Sequence, residues 1–319
     1  MKIGVQTGNI VDSLGFEKGY AAIKKAGFDA IDWNLDHAVK GSDLRNGTYR
    51  GTSILEKSLD KVIAYYAEEL SYIRKNDLEI YSAHAPFPAY VSQYPDTMDY
   101  SIEIYKRNIE YCDFVGCKNL VIHPIIKPYC SSISKEEAQE LNLKLYTALI
   151  PTLLECKSGV TVCLENAFIM NRSYDGSLSF EPDEYSNPEY AAYIIDKLNG
   201  IAGKELFGFC FDVGHANIVD KTPTEFLSVI KHRLHVLHVH DNDKSNDKHL
   251  MPFTGNVDWN DFCKALGDIG FKGSIGFETF RQTDKGYEFS EEMSLVLLET
   301  IGKTGKLFAE RVQKLQQHS

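Results

Sequence analysis

The chain has 319 residues, 43% of them hydrophobic and 25% charged, with a formal net charge of −11. This is the profile of a soluble globular protein with a large core, and the acidic balance argues against a general affinity for nucleic-acid backbones or anionic membranes. No apolar run approaches the roughly 18 residues that span a bilayer, so the reading is a cytoplasmic protein that uses neither membrane nor nucleic acid.

The N-terminus, "MKIGVQTGNI", lacks the charged and apolar regions of a secretory signal and instead opens with a strand, "KIGVQT" (2–7). A second strand, "DAIDWN" (29–34), leads into a long loop over 35–54 and a helix, "LEKSLDKVIAYYAEELSYIRKN" (55–76), with apolar residues at three- and four-residue spacings. Then come strand 3, "EIYSAH" (79–84), the helix "SIEIYKRNIEYCDFVG" (101–116) and strand 4, "NLVIHP" (119–124). A loop over 125–134 precedes the helix "KEEAQELNLKLYTALIPTLLECK" (135–157) and strand 5, "VTVCLEN" (160–166). The loop at 167–188 mixes Gly, Ser, Asn, Pro and aromatics, a composition that fits a lid or a surface decoration. Strands 6, 7 and 8 are "FGFCFD" (207–212), "LHVLHVH" (234–240) and "GSIGFET" (273–279). Several helices end in Gly or Asn just before the next strand, as in "KKAGFDAI", "RKNDLEI", "FVGCKNLVI" and "IGFKGSI", the pattern of a C-cap followed by strand entry.

Eight strands alternating with helices predict a parallel sheet. Eight units without a glycine-rich phosphate fingerprint after strand 1 predict an α/β fold of the (β/α)8 TIM-barrel kind, with residues 1–319 as one domain and the site at the C-terminal ends of the strands. The seven cysteines, Cys112, Cys117, Cys130, Cys156, Cys163, Cys210 and Cys263, are odd in number and form no CxxC pair, so reduced, mostly buried thiols are expected.

The strand ends carry the chemistry. Strand 3 ends in His84, strand 4 in His123, strand 5 in Glu165 and strand 6 in Asp212, with His215 three residues on; strand 7 carries His238 and strand 8 ends in Glu278. Side chains alternate along a strand, so His238 facing inward turns Leu237 and Val239 outward, makes His240 the next candidate and sends His235 beneath a helix. Burying so many ionisable groups together without an ion is costly. A divalent cation is the simplest compensation, and mixed imidazole and carboxylate donors suit Zn, Mn, Co or Mg.

Taken in order, "SAHAP", "VIHP", "LEN", "DVGH", "HVHDND", "DKHLMPFTGNVDW" and "GFET" resemble the xylose isomerase-like TIM barrels, a superfamily of sugar isomerases, ketose 3-epimerases, inosose dehydratases and endonuclease IV enzymes. The resemblance runs from strand 1 to strand 8. In its epimerase and isomerase branch it implies one metal held by Glu165, Asp212, His238 and Glu278, the two glutamates doubling as catalytic acid and base, and His215 contacting substrate oxygens. Lys244 falls where those epimerases carry a substrate-binding Arg, a departure because Lys lacks the bidentate fork. In the nuclease branch it implies three zincs on His84, His123, Glu165, Asp212, His215, His238, Asp247, His249 and Glu278. The spacing from His238 to Asp247 is shorter than that branch carries, and "LDHAVKGSDLRNGTYRG" is mixed in charge where a basic loop would stand.

The expected function is therefore a metal-dependent isomerase or epimerase of sugars, polyols or keto-inositols, working through an enediolate with no organic cofactor. A small-molecule sugar or polyol is the expected partner, and a homo-oligomer is left open. His84, His123, Trp33 and Phe87 would shape the pocket, although Trp33 also reads as an ordinary core residue. The alternatives are an endonuclease IV-like phosphodiesterase using His84, His123, His215, Asp247 and His249 as further ligands, an inosose-type dehydratase, and a barrel that binds without turnover.

Overall fold

Short β-rich runs joined through helices leave a chain one compact arrangement for its strands, a parallel sheet with the helices as crossovers. The structure, a computed structural model, describes residues 1–126, 133–279 and 288–317. Among these residues ten strands occur: β1 (Ile3–Gln6), β2 (Ala30–Asn34), β3 (Glu79–His84), β4 (Asn119–Ile122), β5 (Thr161–Glu165), β6 (Phe168–Arg172), β7 (Leu178–Pro182), β8 (Phe207–Asp212), β9 (Leu234–His238) and β10 (Ile275–Phe277). All but β6 and β7 form one sheet, ordered β10-β1-β2-β3-β4-β5-β8-β9. β1 pairs in parallel with β10, Val5 opposite Phe277, and with β2, Val5 opposite Ile31. Beyond β9, Val239 N–H donates to Gly276 O at 2.8 Å and Glu278 N–H to Val239 O at 3.1 Å. That bridge returns the sheet to its first neighbour, closing the expected (β/α)8 barrel.

The helices are α1 (Ile10–Lys25, interrupted at Gly15), α2 (Gly41–Asn46), α3 (Leu59–Lys75), α4 (Thr97–Val115), α5 (Lys135–Thr147), α6 (Ile150–Glu155), α7 (Pro188–Ala202), α8 (Val213–Ile218), α9 (Pro223–Ile230), α10 (Trp259–Asp268) and α11 (Glu291–Gln316). The helix expected over 135–157 is two helices, because Pro151 sits in the first turn of α6, where its missing N–H is tolerated, and cannot lie inside one continuous helix. The "RKND" end behaves differently from the glycine ends: the left-handed residue is Asp77, at φ 49°, not Asn76. The loop at 167–188 contains an antiparallel hairpin, β6 with β7, in which Phe168 meets Phe180 edge-on at 5.4 Å. Most of the loop at 125–134, and Cys130 with it, lies outside the described residues. Of the other cysteines, Cys156 is half-buried and the rest are buried, all as free thiols. Among the described residues, no helix is long and apolar enough to cross a membrane.

Contacts divide the chain into two compact units, Met1–Trp33 with Glu68–Tyr81 and Cys210–Ser319, and Asn34–Ala67 with Ser82–Phe209. In the first, Phe308 of α11 stacks on Trp259 at 5.2 Å and also meets Phe262 and Phe277. In the second, buried tyrosine hydroxyls hold strand ends: Tyr105 donates to Pro86 O at 2.7 Å and Tyr146 to Ile122 O at 3.0 Å.

Tyr81 explains two strand glycines of the first unit. A Cβ on Gly276 would lie 1.6 Å from the Tyr81 hydroxyl and 2.7 Å from Leu237 O, and one on Gly4 would lie 2.6 Å from the ring. Gly4→Ala, whose new Cβ would meet only the Tyr81 ring, is expected to cost about 1–3 kcal/mol through overpacking. In urea unfolding, Tyr81→Ala should relieve most of that cost in the double variant. Additive losses would show that the ring is not the obstacle.

Candidate functional site

The first unit assembles its polar groups at the ends of β8, β9 and β10. β8 passes into α8 without a loop because Asp212 is both the last strand residue and the N-cap: its Oδ1 accepts the His215 N–H at 2.7 Å, satisfying one of the helix's orphan donors. That turn carries His215 to the same place, with Nε2 3.6 Å from Asp247 Oδ2 and 3.9 Å from Asp212 Oδ2.

Two residues further along the chain from the end of β9, His240 is fully buried, and its Nε2 lies 3.0 Å from both oxygens of Asp212. The imidazoles of His240 and His249 stack at 4.1 Å, 22° from parallel.

His249 is held at both ring nitrogens. Nδ1 donates to the Glu278 carbonyl at 2.9 Å, and Nε2 donates to Asp247 Oδ2 at 2.9 Å. Burial alone would lower its pKa, but the carboxylate of Asp247 outweighs burial and raises it to about 9. Burial would likewise raise the pKa of Asp247, yet His249 and His215 hold it well below the usual carboxylate range. Asp212, His215 and His240 form one set of donors whose ligand atoms lie within 4.8 Å of one another, and His240, Asp247 and His249 form another.

A second row in the same unit runs through His238. Its Nδ1 lies 3.6 Å from Glu278 Oε2, and its Nε2 lies 3.2 Å from Asp32 Oδ2; His238 and Asp32 are each 1% exposed. The other Glu278 oxygen, Oε1, accepts from Gln6 Nε2 at 2.9 Å.

In the second unit, His84, His123 and Glu165 offer ligand atoms within 4.8 Å of one another. His123 Nε2 is 3.0 Å from His84 Nε2 and 3.3 Å from Glu165 Oε2. Phe87 flanks the group, its ring 4.6 Å from that of His123.

Most of the residues expected from the strand ends are thus gathered within one unit or the other. One expectation needs correcting. His235 is exposed at the start of β9 and does not pack beneath a helix, because the alternation that turns it from the interior leads at that end of the strand to the surface. Trp33 is a core residue whose indole N–H donates to Glu69 at 3.1 Å. Lys244, proposed for substrate, ion-pairs with Asp220. Gln6 and Asp32 were missed. Gln6 closes β1, where the strand-end rule applied to strands 3 to 8 would have found it, whereas Asp32 lies in the middle of β2, two residues before its end, where that rule does not look. Asp241 is buried for structural reasons: Oδ1 accepts the Val257 and Asn242 N–H groups and Oδ2 accepts the Trp259 indole, fixing the loop after β9.

Comparison with known proteins identifies the family of the chain. The family model for the xylose isomerase-like TIM barrel matches residues 20–298. The uncharacterized protein y4fM of Sinorhizobium fredii is 24% identical over 278 residues, covering 83% of this chain and 81% of that protein. Among solved structures, a D-tagatose 3-epimerase-like protein superposes with a TM-score of 0.68 at 22% identity, covering 98% of this chain and 99% of the other. The IOLI protein with a bound zinc atom superposes with a TM-score of 0.63 at 18% identity over 99% of each chain. The chain belongs to the xylose isomerase-like TIM barrel family.

Proposed function

We propose that this protein is a divalent-metal-dependent isomerase or epimerase of a sugar or a related polyol or keto-inositol, with the ion held by Glu165, Asp212, His238 and Glu278. The observation that carries the reading is the row Gln6–Glu278–His238–Asp32. A ligating histidine commonly has a carboxylate at its second nitrogen, and Asp32 Oδ2 lies 3.2 Å from Nε2, at ion-pair distance, while Nδ1 faces Glu278 at 3.6 Å. Three carboxylates and one imidazole, all buried, are a donor set that suits Mn, Mg, Co or Zn. The resemblance in fold to a D-tagatose 3-epimerase-like protein and to a zinc-bound IOLI protein supports the same class.

Lewis-acid stabilisation of negative charge on a substrate oxygen is the chemistry that such an ion supplies when bound. The chain's own groups move the proton. One of Glu165 and Glu278 removes it from the carbon beside the substrate carbonyl, and the other returns it at the opposite face or to the adjacent carbon. Gln6, bonded to one oxygen of Glu278, fixes that carboxyl's plane. His215, cradled by Asp212 and Asp247, is suited to bear charge on a substrate oxygen, and Phe87 beside His123 offers an apolar face to a sugar ring. A dehydratase working through the same enediolate uses the same residues.

A multi-zinc phosphodiesterase is the second reading. It is favoured by the clustering of His215, Asp247 and His249 with Asp212, and of His84 and His123 with Glu165. In that reading these residues are ligands and not substrate contacts.

Elemental analysis of untagged protein purified without chelators separates the two. About one ion per chain is expected, whereas near three zincs would replace the sugar reading with the nuclease. Glu165→Gln and Glu278→Gln are each expected to lower turnover of the responsive ketose at least ~100-fold, the usual scale of acid–base catalysis, with circular dichroism unchanged. Exchange of the substrate's α-proton with solvent at the wild-type rate in either variant would remove that residue from proton transfer. His238→Ala should lose bound metal while His235→Ala keeps it; equal metal contents would overturn the assignment of His238.

A further inference from the structure

His240 takes no part in the chemistry described above, yet it is the most enclosed imidazole next to that site. Its Nε2 lies 3.0 Å from both oxygens of Asp212, a pair of acceptor atoms that calls for an N–H there. Its Nδ1 is buried and, among the described residues, finds no hydrogen-bond partner. A proton on Nδ1 would be an unsatisfied buried donor, costing about 1–3 kcal/mol, so the proton belongs on Nε2.

The ring is closely packed. His249 stacks on it at 4.1 Å, and a Cβ on Gly214 would lie 2.0 Å from His240 Cε1 and 2.4 Å from Nδ1. Gly214 takes no left-handed conformation; the residue is glycine to leave room for the imidazole. The glycine of the "DVGH" motif and the second histidine of "HVHDND" are therefore two halves of one contact.

We infer that His240 is a positioning residue. Through Nε2–H it fixes the rotation of the Asp212 carboxylate already tethered by the His215 N–H, and Gly214 supplies the space that lets it do so. The inference rests on the reading in which Asp212 holds an ion. Replacing a partner that orients a ligand typically costs 10–100-fold in metal affinity.

Two measurements test it. The first needs no metal: nitrogen-15 spectra of the histidine rings in chelator-treated protein. The expected signature for His240 is a protonated Nε2 and an unprotonated Nδ1, and the opposite tautomer would overturn the proposal. The second is Mn2+ titration of the chelator-treated protein. His240→Met, which keeps the volume and removes the N–H, is expected to weaken binding 10–100-fold. His240→Gln, whose amide N–H reaches the position of Nε2, should stay within about threefold of wild type, and Gly214→Ala should fall with His240→Met. Equal affinities in His240→Met and His240→Gln, or wild-type affinity in Gly214→Ala, would overturn it. Should the wild-type protein bind none of Mn2+, Mg2+, Co2+ and Zn2+, the reading of Asp212 as a ligand fails by itself, and the nitrogen spectra alone decide whether His240 orients that carboxylate.

Discussion

A carboxylate removed from water has to meet a compensating charge or donor, or folding loses several kcal/mol for each one. This chain answers with imidazole. In the first unit Asp32 faces His238, which faces Glu278; Asp212 faces His240; Asp247 faces His249. In the second, Glu165 faces His123 and, less closely, His84. Histidine suits the task because it donates, accepts, or does both, and because neutral imidazole ligates a metal where lysine or arginine would repel one. The same side chains that make the carboxylates tolerable during folding are the groups whose donor atoms cluster in each unit.

The supports behind these pairs are as specific as the pairs themselves. Gln6 holds one Glu278 oxygen, the His215 N–H holds Asp212, and the Glu278 carbonyl holds His249. The loop after β9 is built for such contacts. Asp241 gathers two backbone N–H groups and an indole, and Gly255 packs so closely that a Cβ would lie 2.3 Å from both Asn242 O and Asp241 Oδ1. His249 itself sits at φ 44°, a conformation uncommon for a side chain of its size and one that cooperating contacts must hold. Dense loop packing thus converts a flexible stretch of polar residues into a fixed arrangement of donors.

Space matters as much as charge. Tyr81 fills what Gly4 and Gly276 leave open, and His240 fills what Gly214 leaves open. In each case a large polar ring occupies the volume a small residue vacated, so glycine and ring are mutually required and neither can be judged from its own neighbours in sequence.

Much of this protein follows from the sequence alone. Period-two and helical patterns locate the eight barrel strands and the crossovers between them, because local backbone geometry dictates those periods. Strand parity brings His238 and Glu278 inward together, and the strand-end histidines and carboxylates announce the candidate site as soon as the strands are aligned. What the sequence leaves undecided depends on partners far apart along the chain. Whether His235 met a helix or the surface, whether Trp33 faced the core, whether Lys244 found Asp220, and which of three neighbouring histidines stood behind Asp212 were decided by tertiary contacts. Parity assigns a side chain to a face, but the distance between a ring nitrogen and a carboxylate is set only when separate strands pack against one another.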